Sequence, residues 1–239
     1  MPREPLLLVP GLMCDATVWQ PLLPALQAGG RECRVVDHGD AHGLPQMAQQ
    51  LLAGAPPRFA LAGHSMGARV ALEVLRSAPG RVARVALLDT GYLARAAGAA
   101  GEEEARKRQA LLDVARRDGV RAMACQWVQG MVHPDRLQDA PLLDAIVGMF
   151  ERKSPDVFER QIRALLQRPD ATGVLRAIRV PTLVLCGRQD SWAPVPQHES
   201  MHALIPGAVF EVIEDAGHMA PMERPQAVAG ALLRWLETP

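Results

Sequence analysis

Serine 65 lies in the pentapeptide Gly63-His64-Ser65-Met66-Gly67. A serine hydroxyl is a weak nucleophile until a base takes its proton, and the base needs an acid to orient it. The chain offers both downstream, in the order serine, acid, histidine. Asp190 closes Gly187-Arg188-Gln189-Asp190, and His218 closes Gly217-His218. Such a set performs acyl transfer through a covalent acyl-serine. The attack creates an oxyanion, which needs two preorganised N–H donors. The amide of Met66, the residue after the serine, is one expected donor. The amide of Leu12, in Pro10-Gly11-Leu12-Met13, is the other, because Gly11 lets the backbone turn sharply there.

Rivals to these residues exist. Asp89 ends an apolar run in Leu88-Asp89-Thr90-Gly91 and is an alternative acid; the loop form around Asp190 favours Asp190. His64 abuts the nucleophile, so its side chain is expected to point away and pack. His133, His198 and His202 have no motif around them and read as surface or helix-face residues. Asp37, His38, Asp40 and His42 resemble a metal cluster, but their spacing matches no standard ligand set. No metal and no cofactor are expected.

These residues need a scaffold that carries them to one place. Short, nearly continuous apolar runs at Leu6–Val9, Cys33–Val36, Phe59–Ala62, Val82–Leu88, Thr182–Cys186 and Val209–Ile213 read as strands buried on both faces. Helical periodicity alternates with them at Val18–Gln27, Pro45–Leu52, Met66–Arg76, Gln197–Leu204 and Gln226–Glu237. That alternation predicts an α/β fold, a mostly parallel sheet of about six strands with helices on both faces. Ser65, Asp190 and His218 then fall just past strand carboxyl ends, where open parallel sheets bind ligands. Strand before and helix after make Gly63–Gly67 a nucleophile elbow, whose tight turn demands glycine on either side of the serine.

The rhythm breaks between residues 93 and 177, where only helical patterns occur: Glu102–Arg117, Val120–Met131, Leu142–Glu151 and Pro155–Gln167. This is too long for a connection. It is expected to be a helical lid inserted into a core formed by residues 1–92 and 178–239. Ala94–Gly101 reads as its hinge or loop.

Bulk properties narrow the function. The chain has 239 residues, 49% of them apolar, enough for one buried core. Formal net charge is zero, which argues against nucleic-acid or membrane-surface binding. No apolar run approaches the roughly 18 residues of a membrane span. The first residues read as a short strand and not as a secretory leader. The cysteines at 14, 33, 125 and 186 lack paired spacing and read as free thiols of a cytoplasmic protein.

Taken together, Pro10-Gly11-Leu12, the serine pentapeptide, Gly187–Asp190 and Gly217-His218 resemble the α/β-hydrolase superfamily over essentially the whole chain. The branch is the small esterases, lactonases and C–C hydrolases, similar to pimeloyl-carrier methyl ester esterases and enol-lactonases. The resemblance implies a Ser-His-Asp hydrolase. Relatives with an aspartate at the elbow, the dehalogenases and epoxide hydrolases, are excluded by Ser65. Two departures stand out. The family's oxyanion loop usually reads His-Gly where this chain has Pro10-Gly11, and the family's two extra leading strands are missing from the pattern.

The expected pocket residues are Met13, Met123, Trp127, Met131, Trp192 and Met219, since methionine suits an adaptable apolar site. They point to a small or medium carboxylic ester as the small-molecule partner. A C–C bond or enol-lactone hydrolase with the same triad is the alternative. A ligand-binding receptor that keeps the triad without turnover is the alternative of another class. Oligomeric state is left open.

Overall fold

A computed structural model describes residues 4–238. Six strands, β1 (Leu6–Val9), β2 (Cys33–Val35), β3 (Phe59–His64), β4 (Val82–Leu88), β5 (Thr182–Gly187) and β6 (Val209–Ile213), form one sheet of order β2-β1-β3-β4-β5-β6. Every neighbouring pair is parallel. The apolar runs explain this. The interior strands β1, β3 and β5 are buried at every residue, as a sheet covered on both faces requires. The edge strands β2 and β6 are only partly buried and carry Arg34 and Glu211, which suits strands with an unpaired side.

The helices are α1 (Leu23–Gln27), α2 (Leu44–Gly54), α3 (Met66–Ser77), α4 (Ala99–Asp118), α5 (Val120–Trp127), α6 (Ala140–Glu151), α7 (Pro155–Leu166), α8 (Thr172–Ala177), α9 (Val195–Leu204), α10 (Ala220–Glu223) and α11 (Pro225–Glu237). On one side of the sheet α2, α8 and α9 form a row with α3; on the other, α11 packs with α1. Helix α3 runs behind the sheet centre and is buried from Met66 to Leu75, including Arg69 and Glu73. Helices α4 to α7 fill the connection between β4 and β5 and pack on one another and on the turn after β1.

The elements differ from the sequence reading in places, with physical causes. The single helix expected over Val18–Gln27 is two 3₁₀ turns, Ala16–Val18 and Gln20–Leu22, followed by the short α1. Pro21 and Pro24 lack the N–H an unbroken helix needs and clash with the preceding turn. Strand β3 runs two residues past Ala62, because His64 still pairs with Leu88 of β4. Most of the Ala94–Gly101 loop is non-helical, but α4 already starts at Ala99, after Gly98 at φ 66°. The helix expected over Val120–Met131 relaxes into a 3₁₀ turn at Val128–Gly130. Helix α8, inside the expected lid span, packs against α3 and α9 of the core.

Candidate active site

The serine sits where β3 breaks into α3. Ser65 has φ 54° and ψ −118°, a region that a side-chain-bearing residue occupies only under constraint. The constraint is packing on both sides. A Cβ at Gly67 would lie 2.1 Å from the Val9 carbonyl oxygen, and one at Gly63 would lie 2.5 Å from the Ala68 backbone. The loop after β1 comes equally close: a Cβ on Gly11 would approach the Ser65 Cβ at 3.2 Å. Thr90 Oγ1 donates to the Ser65 carbonyl at 3.0 Å and ties the elbow to the end of β4.

Ser65, His218 and Asp190 form one chain of hydrogen bonds. His218 Nδ1 lies 2.8 Å from Asp190 Oδ2, and His218 Nε2 lies 2.9 Å from Ser65 Oγ. A carboxylate only accepts, so Nδ1 carries the proton and Nε2 is left to accept from the serine hydroxyl. Asp190 Oδ1 takes the amides of Trp192 and Ala193, each at 2.9 Å. Burial alone would raise the Asp190 carboxyl, but the imidazole and these amides outweigh it and hold the group below its ordinary value.

Asp89 is elsewhere. Its Oδ1 accepts the Gly187 amide at 2.9 Å, and no contact with His218 is made. Burial, followed by the charge of Asp190, pushes its carboxyl well above the usual carboxylate range. Its Oδ2 comes within 3.7 Å of His64 Nε2, but this is no ion pair. Burial pulls His64 down to about 3, and its Nε2–H donates to the His218 carbonyl at 2.8 Å. His64 therefore faces the histidine loop and braces it.

Several residues without a local motif hold the site. Glu223 is buried; its Oε1 accepts the amides of Gly217 and Met219, and its Oε2 accepts that of His133. The His218 amide itself donates to the Met131 carbonyl at 2.6 Å. The histidine loop is thus pinned to the segment after α5. Gln161 of α7 accepts the Met13 amide at 2.7 Å and fixes the loop after β1 from the other side. His38 Nε2 binds the Pro10 carbonyl at 2.9 Å, so that histidine serves the same loop.

The expected pocket residues divide. Trp127, Met131, Trp192 and Met219 line a cavity of about 620 Å³ above Ser65 and His218, together with Leu12 and Met66, the residues expected to supply the oxyanion donors. Met13 and Met123 do not: both are fully buried in the core, and Met13 stands at φ 61°, its amide turned to Gln161. Trp192 stacks on Trp127 at 5.3 Å between ring centres and lies 4.9 Å from the His218 ring, so aromatic surface runs from α5 to the base. Met66 opens α3, and a first helical residue has no intrahelical acceptor for its N–H.

His198, read from the sequence as a surface or helix-face residue, lies on α9 but is wholly buried. Its Nε2 accepts the Thr90 amide at 3.0 Å, and burial lowers it to about 4. Below its ordinary value of 6.5 the unfolded chain takes up a proton that the folded one refuses, so this residue makes stability fall as pH drops from 6.5 toward about 4. Above 6.5 it contributes no pH dependence. His198→Gln keeps an acceptor for Thr90 and removes the titration. Urea melts at pH 7.5 and 4.5 should show a shallower acid loss for the variant, by up to about 1.4 kcal/mol per pH unit in that window.

The family model described as "Alpha/beta hydrolase family" matches residues 6–231. The chain is 29% identical to a pimeloyl-[acyl-carrier protein] methyl ester esterase of Photobacterium profundum, over 92% of this chain and 90% of the relative. Two other curated relatives are longer; the chain spans 61% and 63% of their lengths. Among solved structures, a malate-bound thermophilic esterase from Thermogutta terrifontis is 30% identical with a TM-score of 0.84, over 98% of this chain and 89% of that one. The enol-lactonase of Burkholderia xenovorans shares the fold at a TM-score of 0.83 and 22% identity, over 99% and 93% of the two chains. No helix among the described residues is long and apolar enough to cross a membrane.

Proposed function

The chain belongs to the alpha/beta hydrolase family and is an enzyme, and on that premise we propose that it cleaves small or medium carboxylic esters through an acyl-Ser65 intermediate. The observation that carries this reading is the unbroken hydrogen-bond path from Ser65 Oγ through His218 to Asp190 at the floor of the cavity. His218 Nε2 takes the hydroxyl proton as Oγ attacks the ester carbonyl. The imidazolium that forms is stabilised by Asp190. In this reading the oxyanion is held by the amides of Met66, which follows the serine, and of Leu12, in the loop whose Gly11 packs against it. His218 then protonates the leaving alkoxide. A water then attacks the acyl carbon as His218 takes its proton, and collapse of the adduct breaks the bond to Ser65 Oγ, which recovers that proton from His218 as the acid leaves. The helices between β4 and β5 act as a lid that carries one wall of the acyl pocket through Trp127 and Met131.

A shared acyl-enzyme has a kinetic signature independent of which step is slow. Hydroxylamine competes with water for the intermediate. The p-nitrophenyl, phenyl and ethyl esters of one acid should therefore give the same ratio of hydroxamate to acid. A ratio that varies with the leaving group contradicts the acyl-Ser65 route.

A further inference from the structure

Leu12 and Met13 form a turn closed by the Cys14 amide, which donates to the Gly11 carbonyl at 3.1 Å. Met13 stands at φ 61° and Leu12 lies outside the left-handed region, which is the type II form of the turn. That form favours glycine at its third position, since a side chain strains the backbone there. Met13 bears a long side chain, wholly buried, and is held in that conformation all the same. Its amide supplies the reason: it donates to Gln161 Oε1 at 2.7 Å, and Gln161 is itself buried on α7. A type I turn would suit methionine better. It would also swing the Leu12–Met13 peptide over, turn this N–H away and leave the buried Gln161 oxygen unpaired.

Leu12 therefore sits between two fixed peptides. Before it, Gly11 packs so closely that a Cβ there would lie 3.2 Å from both His64 Nδ1 and the Ser65 Cβ. After it comes the Met13–Gln161 bond. The Leu12 amide has no acceptor among the described residues, and Leu12 lines the cavity above Ser65. A second tie reaches the same loop from the same helices. Arg152, just past the end of α6, donates through Nε and Nη2 to the two Asp15 oxygens at 2.9 and 3.1 Å, and through Nη2 to Thr17 Oγ1 at 2.6 Å. The loop after β1 is thus gripped at Met13 and again at Asp15 by helices that lie between β4 and β5.

We propose that Gln161 is a positioning residue for the reaction: by holding the Met13 amide it keeps the Leu12 N–H aimed at the oxyanion, so the oxyanion hole is complete only while the helices between β4 and β5 are seated on the core. This rests on the ester-hydrolase reading above, with Leu12 as a donor, and adds what regulates that donor. Oxyanion donors act because they are in place before the charge develops. A donor that must first be moved into place loses much of that effect. Gln161 is not part of the cavity wall, so its removal acts on the transition state and leaves the contacts with bound substrate alone.

Gln161→Leu removes the acceptor. Its kcat for phenyl hexanoate should fall roughly 10- to 100-fold, with KM changed by less than about twofold. Gln161→Glu keeps an accepting oxygen in either protonation state, and its kcat should stay within about threefold of wild type. A second readout separates positioning from loss of folded protein. It is the kcat/KM for phenyl hexanoate divided by that for O-phenyl thionohexanoate, in which sulfur replaces the carbonyl oxygen. Sulfur accepts hydrogen bonds weakly, so a formed oxyanion hole favours the oxygen ester. Fewer folded molecules lower both rates and leave the ratio alone. In Gln161→Leu the ratio should fall by about fivefold or more. Should that variant fail to fold, Arg152→Gln at the surface decides, with a fall in the ratio of about two- to threefold. A folded Gln161→Leu protein with wild-type kcat and ratio, a folded Gln161→Glu protein as impaired as Gln161→Leu, or a wild-type ratio in Arg152→Gln overturns the positioning role alone. No turnover of any ester by the wild-type protein, with Ser65 never acylated, overturns the hydrolase reading beneath it.

Discussion

Asp190→Asn lowers kcat for a simple ester by about 10³- to 10⁴-fold, whereas Asp89→Asn lowers it by less than about tenfold. The reason is tautomeric. Asp190 accepts from His218 Nδ1 at 2.8 Å, so the proton stays on Nδ1 and Nε2 faces Ser65 as a base. An amide at 190 can present its NH₂ to Nδ1. The ring proton then moves to Nε2, which can no longer accept from the serine. Asp89 differs in kind. It is buried, its carboxyl is pushed far up by that burial, and its one hydrogen bond comes from the Gly187 amide. An asparagine there keeps the shape of the side chain and an acceptor for the Gly187 amide. Steady-state rates of the two variants, with circular dichroism confirming both are folded, check the contrast. Equal losses would mean that the acid role is shared between β4 and β5.

Ser65→Ala should cost still more, about 10⁵- to 10⁶-fold in kcat, with KM little changed. The residual rate is what oxyanion donors and positioning supply without a nucleophile. The serine and histidine act as a unit, so His218→Ala should cost about as much, and the double variant little more than either. Additive losses would place the two residues in separate steps. The fold should survive the serine change. The strained backbone at Ser65 is enforced by Gly63 and Gly67 against α3 and β1, and not by the hydroxyl.

Much of this was written locally in the chain. The elbow is five contiguous residues, and its neighbours declare strand and helix by their own apolar pattern. Asp190 and His218 each follow a short apolar run and a glycine turn, so their position at the sheet edge could be read without knowing what they touch. The sheet itself was legible for the same reason: strands buried on both faces need unbroken apolar runs. What escaped was non-local. Glu223 reaches His133 across 90 positions, and Gln161 reaches Met13 across 148, with no pattern in either segment that announces the pairing. The apolar character of Met13 and Met123 suggested a pocket, but methionine fills cores as readily as sites, and both lie in the core.

The reading of Ser65 as the nucleophile is tested most directly by fluorophosphonate labelling followed by peptide mass analysis. The wild-type protein should take up one phosphonyl group, on the peptide containing Ser65, and lose activity in step with labelling. Ser65→Ala should take up none, and Asp190→Asn should label far more slowly. A wild-type protein that stays unlabelled, or an intact Ser65→Ala protein that keeps its esterase turnover, would contradict the account. The first outcome would favour a binding protein that retains the triad without using it.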